Sequence, residues 1–463
     1  MTGVELPAVR ELVDGEWDTP AVDLGVALED PATGAHVSRA VATAPDRIER
    51  ALSVAARATG SIGPDTLEAI ADDLDARLGR ISELDSYATG VPITQVAPLG
   101  VIVSGSFRLA AAQLRSGALR ADVDGVRVHR LPLGPALCLT PWNAPAPMAA
   151  HKVANALAAG CPVILKVSEL APYSSVVLAE VIAEHVAPGM FQLVHGGAET
   201  GAQLAGDARI KAVSFTGGLA GGRAVAIASA PLLRPCQLEL GGNNPLLVLP
   251  DADTDIAARM AAELLTTLNG QWCRALGRLI LPAGRAPELL DAIGKRLSDL
   301  RIGAPLDPAT EFGPLVHSRH LAAVRAAVSG REARSFGSVP ADGNYFAPTL
   351  LADDLLDEVF GPVAGVRTYD SVDEAVAHAN ALPYGLEGYV CGADEDAAVT
   401  VAQRIRSGEV KVNGSSIMSL HLMTPRPAWG ISGLGEEGTA ETLRLFTGAR
   451  VVGVEGRFAL HTS

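Results

Sequence analysis

Three side chains in this chain stand in settings that suit chemistry: a carboxylate, a carboxamide and a thiol. Glu239 sits between two leucines in LELGGNNP (238–245), at the end of an apolar stretch. A carboxylate so placed tends toward a raised pKa, which suits a general base, and a strand-edge salt bridge is the equally good plain alternative. Asn143 lies in TPWNAP (140–145), where a strand ends and a helix opens. Its simplest role there is an N-cap, and its second is to aim an amide donor at a developing oxyanion. Cys138, Cys161, Cys236 and Cys391 lie beside apolar residues, as in PALCLT, AAGCPVIL and YVCGA, where a buried inert thiol is expected. Cys273, in NGQWCRALGR, has a different setting. A fourth signal is FTGGLAGG (215–222), which follows a strand and opens a helix and so suits close approach of a phosphate. It is not a GxGxxG fingerprint, and plain turn chemistry explains its glycines as well.

The elements that must position these residues follow from periodicity. Short extended pieces fill the first sixty or so positions. Helices are expected over 46–58 and, with an acidic outer face, over 68–88. From Pro135 onward apolar runs (PALCLT, PVILKV, MFQLV, KAVSF) alternate with helical stretches. That alternation predicts a parallel α/β sheet with helices on both faces, a doubly wound nucleotide-binding architecture whose ligands sit beyond the strands' carboxyl ends. A second alternating series starts near Pro245, with PLLVL, a helix over 254–268, RLILP and a helix over 288–300. The fold class is therefore α/β, with a dinucleotide-binding domain over 1–118 and 135–239 and a catalytic α/β domain over 240–447. A small β oligomerisation element over 119–134 and 448–463 completes the expected division.

The totals narrow the partners. Against 37 basic residues stand 52 acidic ones, a net charge of −15, with no basic block to release counterions from nucleic acid or to hold an anionic membrane. No apolar run approaches the roughly 20 residues of a membrane span, and no signal-like segment opens the chain, so a cytoplasmic protein is expected. The five cysteines are odd in number and never arranged as a metal-ligand cluster, so neither a disulfide framework nor a metal is expected.

Taken in order, PWNxP, KxSE, FTG, LELGG, GQxC and EVFGP resemble the aldehyde dehydrogenase superfamily, from about residue 13 to 453. The most specific part is LELGGN followed by GQxC, with Cys273 lying 34 positions after Glu239. The resemblance implies oxidation of an aldehyde to its acid. Cys273 would attack the carbonyl, Asn143 and the Cys273 backbone N–H would hold the oxyanion, and Glu239 would deprotonate the water that hydrolyses the thioester. A thiolate in that role wants a lowered pKa, which a helix N-terminus or the cofactor's charge would supply.

The same resemblance places a nicotinamide cofactor along Thr140, Pro141 and Trp142, then Lys166, Ser168 and Glu169, with Glu169 accepting from the adenosine ribose. That carboxylate favours NAD, with NADP possible. Phe215, Gly217, Gly218, Gly222 and Leu240 would complete the cradle, and Glu358 and Phe360 would meet the nicotinamide ribose and ring. Met148, His151, Trp272, Met418 and Arg426 would line the aldehyde tunnel. The pattern also departs in places: Gly218 stands where serine is usual, and PRPAWGISG (425–433) replaces PFGGxKxSG, with Arg426 in place of an aromatic. A mid-sized aldehyde, aromatic or carrying an anion that Arg426 could meet, is the expected substrate, although a solvated Arg426 is the plainer reading. Strands near 121–134 and at the C-terminus would pair across a homodimer or homotetramer interface. The alternatives are a CoA-acylating relative, against which Glu239 argues, and a catalytically silent scaffold.

Overall fold

The computed structural model describes residues 4–454. The first apolar series forms five parallel strands in the order Phe191–Val194, Val163–Lys166, Ala136–Leu139, Ala212–Thr216 and Cys236–Glu239. The chain winds outward from Ala136–Leu139 in one direction, then returns to its other side, and the reversal opens a crevice at the carboxyl edge. Register fixes what lies along that edge. Leu139 is level with Lys166 and Phe215, and Thr216 is level with Glu239, so four predicted segments end on one line. Helices cover both faces. One face carries the core of Pro64–Asp75, Gly100–Arg115, Pro145–Ala158 and Tyr173–His185, and the other carries Pro45–Arg57 and Leu219–Ser229.

The second series forms a seven-stranded sheet: Ala333–Ser335, Thr349–Leu351, Val363–Tyr369, Leu276–Pro282, Asn244–Val248, Glu387–Cys391 and Glu409–Val412. All neighbours are parallel except the first pair. Four residues, Leu240 to Asn243, join Glu239 of the first sheet to Asn244 of the second. The carboxyl edge of one sheet is thereby joined to the amino edge of the other, and residues just ahead of the second sheet's strands face the first sheet's crevice. Cys273, ahead of Leu276–Pro282, is one of them.

Three differences from the expected elements have plain causes. The helix expected over 68–88 is two, Pro64–Asp75 and Leu78–Thr89. The break lets the first pack on Gly100–Arg115 and the second on Tyr173–His185. The stretch after Ser432, which the sequence pattern groups with the second series, returns to the first sheet. Gly433–Leu434 pairs antiparallel with Cys236–Glu239, and Thr439–Leu445 packs on Pro145–Ala158. The expected interface strands pair with each other within the chain, Thr447–Val452 against Val126–Pro132, and the latter against Arg120–Val123. The part of 448–463 beyond residue 454 lies outside the described residues. Ile93–Arg115 is long and apolar enough to cross a membrane by composition, but much of it is buried against Pro64–Asp75 and Pro145–Ala158, as a core helix is.

The loop that delivers Cys273 is held in an uncommon shape. Leu268, Asn269 and Gly270 have φ of 49°, 58° and 72°, a left-handed run that side chains resist. Asn269 stabilises it by donating to the carbonyls of Gly90 and Pro314 (2.8 and 2.9 Å) and accepting from Gly313 N–H (2.8 Å). At Gly270 a Cβ would lie 2.4 Å from Pro362 N, so no other residue fits. Asn269→Ala is expected to remove three buried bonds and to cost about 2–4 kcal/mol. The check is the denaturant midpoint with unchanged m; a midpoint equal to the parent's would show the loop is held by something else.

Candidate active site

Between the two sheet edges lies a cavity of 610 Å³, within the range of about 300–1,000 Å³ usual for small-molecule sites. Cys273, Glu239 and Asn143 all line it. Asn143 is no N-cap: the helix it precedes, Pro145–Ala158, has Ala144 at that position. Its Nδ2 donates instead to the Gln271 carbonyl (2.9 Å), which fixes the carboxamide two residues from the thiol. Gln271 is in turn anchored by Val316 N–H (2.9 Å) and by its own bond to Thr89 O (3.3 Å). On the other side of the thiol, Asn244 Nδ2 donates to the carbonyls of Cys273 (3.0 Å) and Ala275 (2.8 Å). The turn that carries Cys273 is thus clamped from both sheets.

Burial and charge set the ionisation of these groups. Burial, then the neighbouring Glu437, pushes Glu239 up to about 7, and one of its oxygens, Oε1, has no hydrogen-bond partner. A carboxylate that titrates near neutrality and keeps a free oxygen is suited to move protons at physiological pH. Burial, then Glu239, drives the Cys273 thiol well above its usual range, with Arg274 opposing. Along the chain Cys273 lies between a 3₁₀ turn and a strand, so its own segment supplies no helix N-terminus to lower it.

Most of the residues that the motifs assign to a cofactor share this cavity. Thr140, Pro141, Trp142, Lys166, Ser168, Glu169, Phe215, Gly217, Gly218, Leu240, Glu358 and Phe360 all line it. The lining fits a polar ligand: Thr140 Oγ1 is buried without a partner. At Gly241 a Cβ would lie 1.9 Å from the Glu358 carboxylate, so glycine there lets Glu358 close on the turn and accept from Gly242 N–H (3.0 Å). At the far side Trp142 meets Phe360 edge-on with centroids 5.5 Å apart, and His320 Nε2 donates to the Phe360 carbonyl (2.6 Å). Gly218 is the N-cap of Leu219–Ser229, and a Cβ added to it would meet nothing within 4 Å, so the serine usual there would fit. Gly222 is a correction: it does not line the cavity. A Cβ there would lie 2.3 Å from Leu240, so this glycine lets helix Leu219–Ser229 sit on Leu240, while Gly221 faces the cavity.

At the aldehyde end Met148, Trp272 and Arg426 line the cavity, whereas His151 and Met418 do not. His151 lies one helical turn beyond Met148, behind the wall, 3.2 Å from Thr442 Oγ1, and burial holds it neutral with a pKa of about 3. In the irregular stretch after Val412 it is Ile417, not Met418, that reaches the cavity. Arg426 is not a solvated surface charge: only 22% of its side chain is exposed, and Nη2 lies 3.5 Å from Glu437.

The sequence reading missed Lys152 and Glu437. Lys152 is wholly buried and donates to Glu437 (3.0 Å) and Ser214 Oγ (2.8 Å). Burial alone would raise Glu437, yet Lys152 and then Arg426 hold it well below the usual carboxylate range. A lysine inside the Ala-rich helix Pro145–Ala158 was the one available signal, since such a residue needs a partner. Removing the cation leaves the carboxylate buried and alone. Lys152→Met is therefore expected to lower stability by about 3–5 kcal/mol, and Lys152→Met with Glu437→Leu to recover most of it. Unfolding midpoints of the three proteins decide it; a double variant as unstable as the single one would reject the pair as the cause.

Comparison with known proteins agrees with this geometry. The model of the aldehyde dehydrogenase family matches residues 20–452. A peroxisomal aminoaldehyde dehydrogenase of Malus domestica is 33% identical over 89% of this chain and 89% of that protein. A geranial dehydrogenase of Castellaniella defragrans is 35% identical over 75% of this chain and 77% of its own length. Among solved structures, an aldehyde dehydrogenase of Pseudomonas syringae complexed with NAD+ and octanal is 27% identical. It superposes with a TM-score of 0.91, covering 98% of this chain and 99% of that one.

Proposed function

The chain belongs to the aldehyde dehydrogenase family and is an NAD(P)-dependent oxidoreductase acting on an aldehyde; on that premise we propose how its own residues divide the reaction. Cys273 is the nucleophile, Asn143 holds the oxyanion and Glu239 is the base. The observation that supports this most is the meeting of all three on one cavity from segments 34 to 130 positions apart. Thr140, Lys166 and Glu169 hold the adenosine side of the dinucleotide, and Glu358 and Phe360 the nicotinamide side. When bound, the nicotinamide accepts the hydride.

The thiol must lose its proton before attack, and Glu239, beside it, is the group positioned to take that proton. Attack forms a C–S bond and an oxyanion. The Asn143 carboxamide, already aimed by the Gln271 carbonyl, and the Cys273 N–H stabilise that charge in a site shielded from water. Loss of hydride leaves a thioester. Glu239 then removes a proton from water, and its unpartnered Oε1 is the acceptor.

The apolar walls, from Leu99, Ile102, Met148, Leu268, Trp272 and Ile417, suit a mid-sized aldehyde. Arg426 is committed to Glu437, so it contributes to the wall more than to recognition of an anion. Exposed Val123, Val451 and Val452 on the three-stranded sheet support a homodimer or homotetramer formed there. The five cysteines are free, which suits the reducing cytoplasm.

Two outcomes follow. Purified protein should produce NADH over an aldehyde panel, Cys273→Ala should lose at least about 10³-fold of that rate, and the turnover rate should fall as pH drops through about 7, where Glu239 becomes protonated. Cofactor reduction that survives in the alanine variant would remove the covalent route. Second, Arg426→Ala should slow aliphatic, aromatic and ω-carboxylated aldehydes alike. A loss confined to the carboxylated ones would instead make Arg426 an anion receptor.

A further inference from the structure

No motif assigns Arg274, and its surroundings are unlike those of a surface cation. It follows Cys273 directly, is 6% exposed, and shares the cavity wall with Cys273 and Glu239. Its Nη1 is ion-paired with Glu387, and Glu409 lies 3.6 Å away. Lys411 Nζ lies 3.0 Å from Glu387 and 3.7 Å from Glu409. Tyr389 donates to the Arg274 carbonyl (2.8 Å), and Asn244 Oδ1 receives Glu387 N–H (3.1 Å), so the same clamp holds both the turn and the charges.

Two cations and two carboxylates at the amino ends of Glu387–Cys391 and Glu409–Val412 form a balanced buried quartet. Balance is what makes four charges tolerable away from water. The arrangement is nonetheless lopsided. Both carboxylates meet the guanidinium through Nη1, and among the described residues no protein acceptor is hydrogen-bonded to its Nε or Nη2. The carboxylates stand behind the wall and do not line the cavity, whereas Arg274 does.

The ionisable groups that face the thiol are few. Glu239 comes from Cys236–Glu239 and Glu358 from the loop before Val363–Tyr369, and both oppose a thiolate. Tyr389, on Glu387–Cys391, is driven so far up by burial that it stays neutral. The Lys152–Glu437 pair cancels itself behind Glu239. Arg274, on the same cavity wall as Cys273 and next to it in the chain, opposes Glu239 and Glu358 and favours the thiolate.

We propose that Arg274 is a positioning residue for the nucleophile: its guanidinium stabilises the Cys273 thiolate, and Glu387 and Glu409 set how much of that positive charge the sulfur feels. The proposal rests on Cys273 being the nucleophile, but its test reads the thiol itself and needs no aldehyde, so the two can fail separately. The rate of Cys273 alkylation by iodoacetamide is followed across the neutral-to-alkaline range in the full chain, with peptide mass mapping to separate Cys273 from Cys236. Arg274→Met should raise the pH midpoint by about one unit, equivalent to about tenfold slower alkylation at a fixed pH below it. Arg274→Lys should restore part of the loss, and Glu387→Gln should shift the midpoint down. Because Arg274→Met leaves two carboxylates with one cation, Arg274→Met with Glu387→Leu keeps the buried charges balanced and carries a smaller upward expectation, the loss of Glu387 offsetting part of the shift. A folded double variant whose midpoint equals the parent's, or a Glu387→Gln midpoint that does not fall, overturns the proposal, even if aldehyde oxidation is lost.

Discussion

In the proposed mechanism, Glu239 has to remain ionisable while lying out of water beside a thiol that must also ionise, and the surrounding architecture suits that requirement. A lone buried carboxylate neutralises itself, and two buried anions side by side repel. The chain meets the difficulty with charge-balanced groups at the cavity wall, Lys152 with Glu437 on the first sheet's side and Arg274 and Lys411 with Glu387 and Glu409 on the second's; Glu437 and Arg274 reach the cavity and their partners lie behind them. Glu239 itself is left near neutrality, pushed up to about 7 by burial and by Glu437.

The geometry that permits this is the short connection from Glu239 to Asn244. Because only Leu240 to Asn243 separate them, the carboxyl edge of one sheet faces the amino edge of the other, and residues at both edges look into a single cavity. Neutral side chains then hold the edges together. Asn244 grips the Cys273 turn, Asn269 fixes the left-handed loop ahead of it, and Gln271 carries the Asn143 carboxamide. Carboxamides suit these posts since each donates and accepts without adding charge to a site already crowded with it.

Much of this was legible in the sequence. The alternation from Pro135 gave the doubly wound sheets, and the ordered motifs around Asn143, Glu239 and Cys273 pointed to residues that do line one cavity. What the sequence did not disclose depends on distance or on single steps of geometry. Lys152 and Glu437 are 285 positions apart, and nothing local marks them as partners. Glu387, Glu409 and Lys411 read as ordinary strand charges until neighbouring strands bring them together. Gly221 and Gly222 differ by one helical step of about 100°, enough to exchange a cavity-facing glycine for a packing one. His151 was misplaced for the same reason, one turn beyond Met148. Arg426 looked like a solvated charge because its partner, Glu437, comes into reach only when 426–427 and 436–437 pair as a short hairpin.

The claim at the centre is that acyl transfer passes through the sulfur of Cys273 and that Glu239 releases it. The most direct measurement is the intact mass of a Glu239→Gln variant mixed with NAD+ and a turned-over aldehyde, followed by peptide mapping. The account predicts one acyl group per chain, carried on the Cys273 peptide, forming more slowly than in the parent because Glu239 also takes the thiol proton, and then persisting on the timescale of many parent turnovers. An unmodified mass while NADH is formed, or an acyl group on any other residue, would contradict it.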